Sequence, residues 1–406
     1  MAVEESLTMR SIELFTGCGG LAMGLSRAGF LAERMVEWDR HSVMNVLHNK
    51  ERRVQHVADW PIIKSDVRHM VWETLSGLDL VAGGPPCQPF SIGGRHRGHE
   101  DARDMWPEAV RAVRETMPRS FIFENVRGLM RDAFSDYLRW VRLSLAAPHI
   151  CQRDGETRAD HLARLEHQLE DAEYRVSVTQ VNAADFGAAQ KRHRVIILGI
   201  RKDVADNPPA LVPTHSMEAL VWEKWVSGEY WRRHGINPPQ DGPDKSEVAT
   251  LRKLDNNGIK PSSLPWRTVR DAIAGLGEPG MGSASNHIPQ PGARSYPGHT
   301  GSPIDMPAKA LKAGVHGVPG GENTMMLPNG GIRYFTVREA ARLQGMPDDF
   351  EFVGSWSENM RQLGNAVPSQ LAEAAGRVIA TNLTANKEDN SQRHGTSEEA
   401  DKAQAA

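Results

Sequence analysis

Short apolar runs alternate with helix-period segments along the first half of the chain, and this rhythm restricts the fold more than any other feature. Ser11 to Phe15 (SIELF) reads as a strand, Gly17 to Gly20 as a turn, and Leu21 to Ala28 as a helix. Glu33 to Glu37 (ERMVE) and His41 to His48 repeat the pair. Leu78 to Ala82, the helix around Trp106 to Thr116 and the strand Ser120 to Phe123 (SFIF) continue it. Strands that alternate with helices imply crossover connections, so the pattern predicts an α/β fold whose mostly parallel sheet carries helices on both faces. Val195 to Ile200 (VIILGI) is a late strand after a gap, and that gap holds an amphipathic helix over Thr157 to Glu173.

From about Asn207 to Asn329 the texture changes: proline and glycine become frequent, aromatic and basic residues mix, and the rhythm is lost. Such a stretch reads as a smaller domain built to present loops. Within it, Val221 to Gly235 interleaves Trp222, Trp225, Tyr230 and Trp231 with Lys224, Arg232 and Arg233. A helix packing its aromatics inside accounts for this better than an exposed surface does. Regular patterning returns over Thr336 to Gln344 and Pro368 to Ile379. The expected organisation is therefore a first part over 1–205, a loop-rich domain over 206–330, a returning part over 331–385 and a polar, disordered tail over 386–406. A chain of 406 residues is long enough for two domains.

The three cysteines, Cys18, Cys87 and Cys151, have no paired spacing. That argues against a disulfide framework or a zinc cluster and for a reducing cytoplasm. The start, MAVEESLTMRS, lacks the basic then apolar order of a secretory signal, and no apolar run is long enough to span a membrane. A net charge of −3 does not by itself point to nucleic acid, so any such role needs a local basic face.

Three constellations carry chemistry. In ELFTGCGGLAMGLSRAGF, from Glu13, Gly17, Gly19 and Gly20 let the backbone turn tightly beside a ligand. Their order is not the GxGxxG of dinucleotide folds, and no GK[ST] phosphate loop follows. Glu37 and Trp38 stand roughly 20 residues on, where an acid accepts from ribose hydroxyls and an indole offers a face to adenine. Asp66 is placed to accept from the adenine amino group. A nucleoside without phosphate signals fits S-adenosylmethionine better than NAD or ATP. The second constellation is GGPPCQPFS, where Pro85, Pro86 and Pro89 hold Cys87 on a stiff loop beyond a strand's end. Glu124-Asn125-Val126 follows another strand, so thiol and carboxyl can face one crevice, a pairing suited to attack on an electron-poor ring. The third is QKRHRV, Gln190 to Val195, whose arginine forks suit carbonyl and phosphate oxygens.

ELFTGCGG, GGPPCQPFS, ENV, QKRHR and RQLGNAVPSQL resemble, in order, the motifs of the cytosine-5 DNA methyltransferase family in its bacterial restriction–modification form. The resemblance covers about two-thirds of the chain and implies a Rossmann-like S-adenosylmethionine-dependent methyltransferase sheet, with 206–330 as the target-recognition domain. It implies that Cys87 attacks carbon 6 of a flipped-out cytosine and that Glu124 bonds ring nitrogen 3 and the exocyclic amine. Arg192 is then placed near the cytosine carbonyl oxygen, and Arg194 braces the loop or contacts the site. The matched cofactor positions are Phe15, Cys18, Gly20, Glu37, Trp38, Asp66, Val67, Pro86, Trp106, Asn365 and Ala366. Ser91 to Asp104 resembles the mobile catalytic loop, with Gln88, Ser91, Arg95 and Arg97 meeting DNA. His287 to Gly301 and Leu311 to Asn323 are expected to read bases or hold phosphates.

One departure stands out: the segment between ENV and QKRHR is longer than is usual in the family, through Arg153 to Glu173. Flanking regulatory domains are not in evidence, which favours a compact bacterial enzyme acting on double-stranded DNA, as a monomer, beside a cognate restriction endonuclease. A tRNA substrate is the alternative, but that branch carries a Cys-Phe-Thr triplet not found here. A regulator that only binds DNA would have no use for Cys87, Glu124 and Arg192.

Overall fold

The computed structural model describes residues 8–86, 104–295, 300–313, 323–327 and 329–385, with the side chains of 255–257 excepted. Cys87, Gln88, Ser91, Arg95 and Arg97 lie outside the described residues, as do 386–406 and much of Leu311 to Asn323.

In chain order the elements that build the main sheet are β1 (Met9–Leu14), α1 (Gly20–Arg27), β2 (Phe30–Glu37), α2 (Arg40–Glu51), β3 (Ile62–Lys64) and β4 (Leu80–Gly83). There follow α3 (Trp106–Thr116), β5 (Ser120–Val126), α4 (Ser135–Ala146), α5 (Arg158–His167), β6 (Tyr174–Asn182), the two-residue β7 (Gln190–Lys191) and β8 (His193–Arg201). Seven strands hydrogen-bond in the order β3-β2-β1-β4-β5-β8-β6. From β3 to β5 every neighbouring pair is parallel, while β8 runs antiparallel to β5. The chain leaves β1 toward one edge through β2 and β3, then returns to place β4 on β1's other side. The order thus reverses between β1 and β4, the point where doubly wound sheets open a crevice at the carboxyl ends of their strands. Ile12, Leu14, Val81, Phe121, Phe123, Val195 and Ile197 are buried in one core because both faces of the sheet are covered.

Two strands escape the apolar-run reading for different reasons. β3 is only three residues long, and two of these are exposed. β6 alternates, with Tyr174 buried and Arg175 exposed, so it lacks the continuous run of a central strand.

By packing, the described chain divides into two units. One runs to Gln180, takes Arg194–Leu211 and resumes at Ala372; the other comprises Val181–His193 and Val212–Leu371. This line differs from the compositional one: residues 331–371 pack with the loop-rich stretch although their helical rhythm resembles the first half. Gln190 shows why, since its Nε2 donates to the Leu343 carbonyl at 2.9 Å and to Gln344 Oε1 at 3.0 Å. In the second unit Tyr230 and Trp231 are buried, as the aromatic helix predicts, around a buried Lys224–Glu247 ion pair. In the first unit a helix over 369–385 approaches α1 closely, and a Cβ on Gly376 would lie 2.7 Å from Ala28 Cβ.

The long segment after ENV forms α4 and α5, which pack on each other through His161. The His161 Nδ1 accepts from Trp140 Nε1 at 3.0 Å, and Nε2 donates to the Ile150 carbonyl at 2.7 Å. That arrangement needs a neutral imidazole, and burial lowers its pKa. The stability His161 contributes is therefore complete above the unfolded value of about 6.5 and is lost as pH falls below it. Thermal denaturation should show a larger loss of Tm between about pH 7.5 and about pH 5.5 in the wild type than in His161→Gln, which does not titrate.

Candidate active site

Parallel pairing aligns the carboxyl ends of four strands. Leu14 pairs with Val36 on one side and Gly83 on the other, and Gly83 pairs with Phe123. One residue beyond this row stand Glu37, Phe15, Gly84 and Glu124, so four of the sequence-predicted positions or their neighbours open onto one edge. Gly83 is required there, because a Cβ would lie 2.7 Å from the Leu14 carbonyl oxygen.

On the β1 side the chain turns sharply. Phe15 takes φ 58°, a left-handed conformation unusual for a bulky residue, and Gly17 and Gly19 follow at 59° and 89°. Strain of this kind persists only where the surroundings hold it, and it is characteristic of functional sites. Glu37 supplies the hold: its Oε2 accepts from Gly17 N and its Oε1 from Asp39 N, each at 2.7 Å. Gly19 N-caps α1, and a Cβ there would strike the Trp60 ring at 2.3 Å. Gly20 opens α1, and the neighbouring Cys18 is 2% exposed, so its thiol is inside. Trp38, by contrast, is 70% exposed and offers an open ring face.

Beneath the turn lies an acid that motif reading passed over. Glu13 on β1 is buried, with burial as the main cause of a pKa well above the ordinary glutamate value and the nearby Glu37 as a further one. Burial raises Glu37 as well. Carboxyl oxygens under a turn act as hydrogen-bond acceptors and suit a hydroxyl-bearing ligand. The signal was present as the glutamate of ELF, but its neighbourhood with Glu37 is tertiary. Of the other expected cofactor positions, Asp66 caps a short 3-10 turn and is ion-paired with Arg68 at 2.5 Å, which holds its pKa down at about 2. Val67 is buried, and Trp106 is wholly buried and packs edge-on against Phe123 at 5.8 Å. Trp106 is thus part of the wall behind the crevice, with no free ring face. Asn365 and Ala366 close the helix Trp356–Asn365 in the second unit.

On the β4–β5 side the diproline loop and ENV are tied together. Asn125 Nδ2 donates to the Pro85 carbonyl at 3.1 Å, and a Cβ on Gly84 would lie 3.5 Å from Glu124 Oε2. The described chain follows this loop to Pro86, the residue before Cys87. Glu124 is 7% exposed and makes an ion pair with Arg194 Nε at 2.5 Å. The antiparallel register sets this up, since Val126 faces Arg194 across the β5–β8 pair.

The two arginines of QKRHR therefore differ from the expected assignment. Arg192, expected near the carbonyl oxygen of the base, is 1% exposed, and its Nη atoms donate to the backbone carbonyls of Leu311 at 2.8 Å and Gly364 at 2.6 Å. Its guanidinium holds the second unit together, whereas Arg194, expected to brace the loop or contact the site, stands beside Glu124. Gly364 shares in this packing, because a Cβ there would lie 2.3 Å from Ala313 N. Among the described residues no group of His, Cys, Asp and Glu is arranged to hold a metal ion, and no helix is long and apolar enough to cross a membrane.

A sheet of this order, with a strained glycine turn and an acid–tryptophan pair at its switch point, is the Rossmann-like sheet of methyltransferases. The chain belongs to the C-5 cytosine-specific DNA methylase family, whose model matches residues 9–146 and 152–381, and it is a DNA (cytosine-5-)-methyltransferase. The Type II methyltransferase M.PspPI of Psychrobacter sp. (strain TA137) is 30% identical over 403 residues, covering 96% of this chain and 83% of that protein. M.NgoMIV of Neisseria gonorrhoeae, also a Type II methyltransferase, is 29% identical over 378 residues, covering 91% and 96%. Among solved structures, a Spodoptera frugiperda DNMT2 mutant aligns with a TM-score of 0.53 at 13% identity, over 91% of this chain and 99% of that one. The S. pombe Dnmt2 methyltransferase aligns with a TM-score of 0.52 at 16% identity, over 93% and 99%. At these identities the solved structures bear on the fold alone.

The contrast between the arginines is testable. Arg192→Ala leaves two buried carbonyls without their charged donor and should cost about 2–4 kcal/mol in denaturant unfolding. Arg194→Ala should leave that stability within about 1 kcal/mol and instead reduce kcat by about a hundredfold, read from methyl transfer to DNA. Equal loss of stability in the two variants would reject the contrast.

Proposed function

We propose that this enzyme transfers a methyl group from S-adenosylmethionine to carbon 5 of a cytosine within a specific duplex sequence, with Cys87 as nucleophile. The observation that carries the reading is the Glu124–Arg194 pair set against the Gly84–Pro86 loop, from which Cys87 is the next residue. Bound S-adenosylmethionine supplies an electrophilic methyl on a sulfonium centre. Phe15, Cys18 and Gly20 would line its methionine side through backbone groups, Glu37 would accept from the ribose hydroxyls, and Trp38 would face the adenine. Asp66, Val67 and Pro86 complete the proposed set, with Trp106 in the wall behind it; Asn365 and Ala366, the other positions that the resemblance implies, belong to the second unit. The fit is supported by the exposed Trp38 ring and by the Glu37 carboxyl at the turn, an acceptor suited to hydroxyl donors.

Chemistry at carbon 5 needs a base out of the stack, because the duplex hides carbon 6; extrusion costs a few kcal/mol. The Cys87 thiolate adds to carbon 6, while Glu124 delivers a proton to ring nitrogen 3 and accepts from the exocyclic amine. Arg194 orients Glu124 and faces the carbonyl oxygen of the ring. Carbon 5 becomes an enamine carbon and takes the methyl group, leaving S-adenosylhomocysteine as product. A base then removes the carbon 5 proton, the bond to Cys87 breaks to return the thiolate, and ring nitrogen 3 gives its proton back to Glu124. Gln88, Ser91, Arg95 and Arg97 are proposed to contact the DNA around the flipped base. The loop-rich stretch of the second unit is proposed to recognise the target. The Type II relatives support a place in a restriction–modification system, in which methylation shields host DNA from a cognate endonuclease. A monomer suffices, since one flipped base needs one site.

Purified protein with radiolabelled S-adenosylmethionine should label unmethylated DNA and not RNA, and Cys87→Ser should abolish turnover. Turnover by that variant at the wild-type rate would sink the mechanism. Bisulfite sequencing of DNA from cells expressing the protein should show one methylated cytosine context, which defines the target.

A further inference from the structure

α5 is joined to the strand end that carries Glu124 by a chain of direct contacts. Arg158, the first residue of α5, lays its guanidinium over two rings of α4, with Cζ 4.8 Å from the Tyr137 centroid and 4.7 Å from that of Trp140. Its Nη2 donates to Asp104 Oδ2 at 3.2 Å. Asp104 is the first described residue after Arg103, and its side chain is 6% exposed. The other oxygen, Oδ1, accepts from Tyr137 Oη at 2.6 Å and from Trp106 N at 3.1 Å. Met105, the N-cap of α3, makes no side-chain cap, so Asp104 is the group that satisfies this first helical N–H and sets a negative charge at the helix start. Trp106 in turn packs edge-on against Phe123, the residue before Glu124.

A buried carboxylate is stable only while its countercharge is present. Among the described groups around Asp104, Arg158 is the cation and Tyr137 a neutral donor. Without Arg158, Asp104 must take up a proton or move toward water. Either change alters the acceptor that seats Trp106.

We propose that Arg158 is a positioning residue for methyl transfer: through Asp104 it seats Trp106 against Phe123 and so fixes the strand end that carries Glu124. The consequence for turnover rests on the proposed role of Glu124; the seating of Trp106 does not. α5 is then a functional part of the catalytic unit and more than a surface helix.

The full chain labelled with 5-fluorotryptophan separates the two parts. The Trp106 resonance, assigned by its loss in Trp106→Phe, should shift or broaden in Arg158→Ala, although Arg158 does not touch that ring, while the remote Trp60 resonance stays in place. In the same protein kcat should fall by about tenfold, with Tm lowered by only a few degrees. Arg158→Lys, which keeps the charge beside Asp104, should recover part of the rate. Adding Arg158→Ala to Asp104→Asn should cost less than it does alone, because the pair acts as a unit. If Arg158→Ala fails to fold, the Lys variant and Asp104→Asn carry the same comparison. An unmoved Trp106 resonance overturns the proposal, and a moved resonance with unchanged kcat overturns its link to turnover. A wild type unable to methylate DNA would count against the role of Glu124, and the Trp106 resonance would still decide whether Arg158 seats that ring.

Discussion

The site depends on one row of parallel pairings, Val36–Leu14–Gly83–Phe123. Hydrogen bonding at this register puts the ends of four strands level, so the turn after β1, the acid ending β2, the loop after β4 and the glutamate of β5 share one edge. Gly83 is the tight point, since β1 and β4 approach too closely for a side chain there. A side chain at Gly83 would push β4 from β1, and a slip of one residue along β4 would turn its alternating positions to the other face. The catalytic geometry is therefore a consequence of sheet register before it is a matter of any single side chain.

Electrostatics divides this edge in two. Under the glycine turn, Glu13 and Glu37 are poorly solvated, and burial raises the pKa of both. Around the diproline loop, Glu124 faces Arg194, a half-buried cation that keeps the carboxyl oriented. The first half is suited to a ligand with hydroxyl donors, the second to an electron-poor ring that must be polarised. In the proposed reaction one crevice brings the methyl donor and the ring together. Such placement converts an encounter between two reactants into a step within one complex, which is where much of an enzyme's rate enhancement arises.

Much of the fold was legible because it rests on local patterns. Continuous apolar runs such as VIILGI announce a central strand, and the glycines after SIELF announce a turn whose positive φ values only small residues adopt without strain. β3 and β6 were not legible, one too short and the other alternating, because their pairing partners lie elsewhere in sequence. The same holds for the two arginines. Their types and spacing point to anion or carbonyl chemistry, yet spacing is silent about which one meets Glu124. That choice follows from the β5–β8 register and from the carbonyls of Leu311 and Gly364, which lie 119 and 172 residues from Arg192.

The sequence by itself determined the chemistry on offer: a thiol between prolines, a glutamate after a buried strand, an acid–tryptophan pair after a glycine turn. These follow from residue type and from neighbours a few positions away, which backbone geometry fixes locally. The tertiary structure decided which groups act on one another: Arg194 on Glu124, Glu13 beside Glu37, residues 331–371 with the loop-rich unit, and Arg158 on Asp104. Each of these depends on contacts between segments distant in the chain. Burial and charge pairing arise only once those segments pack, so no local pattern could have specified them.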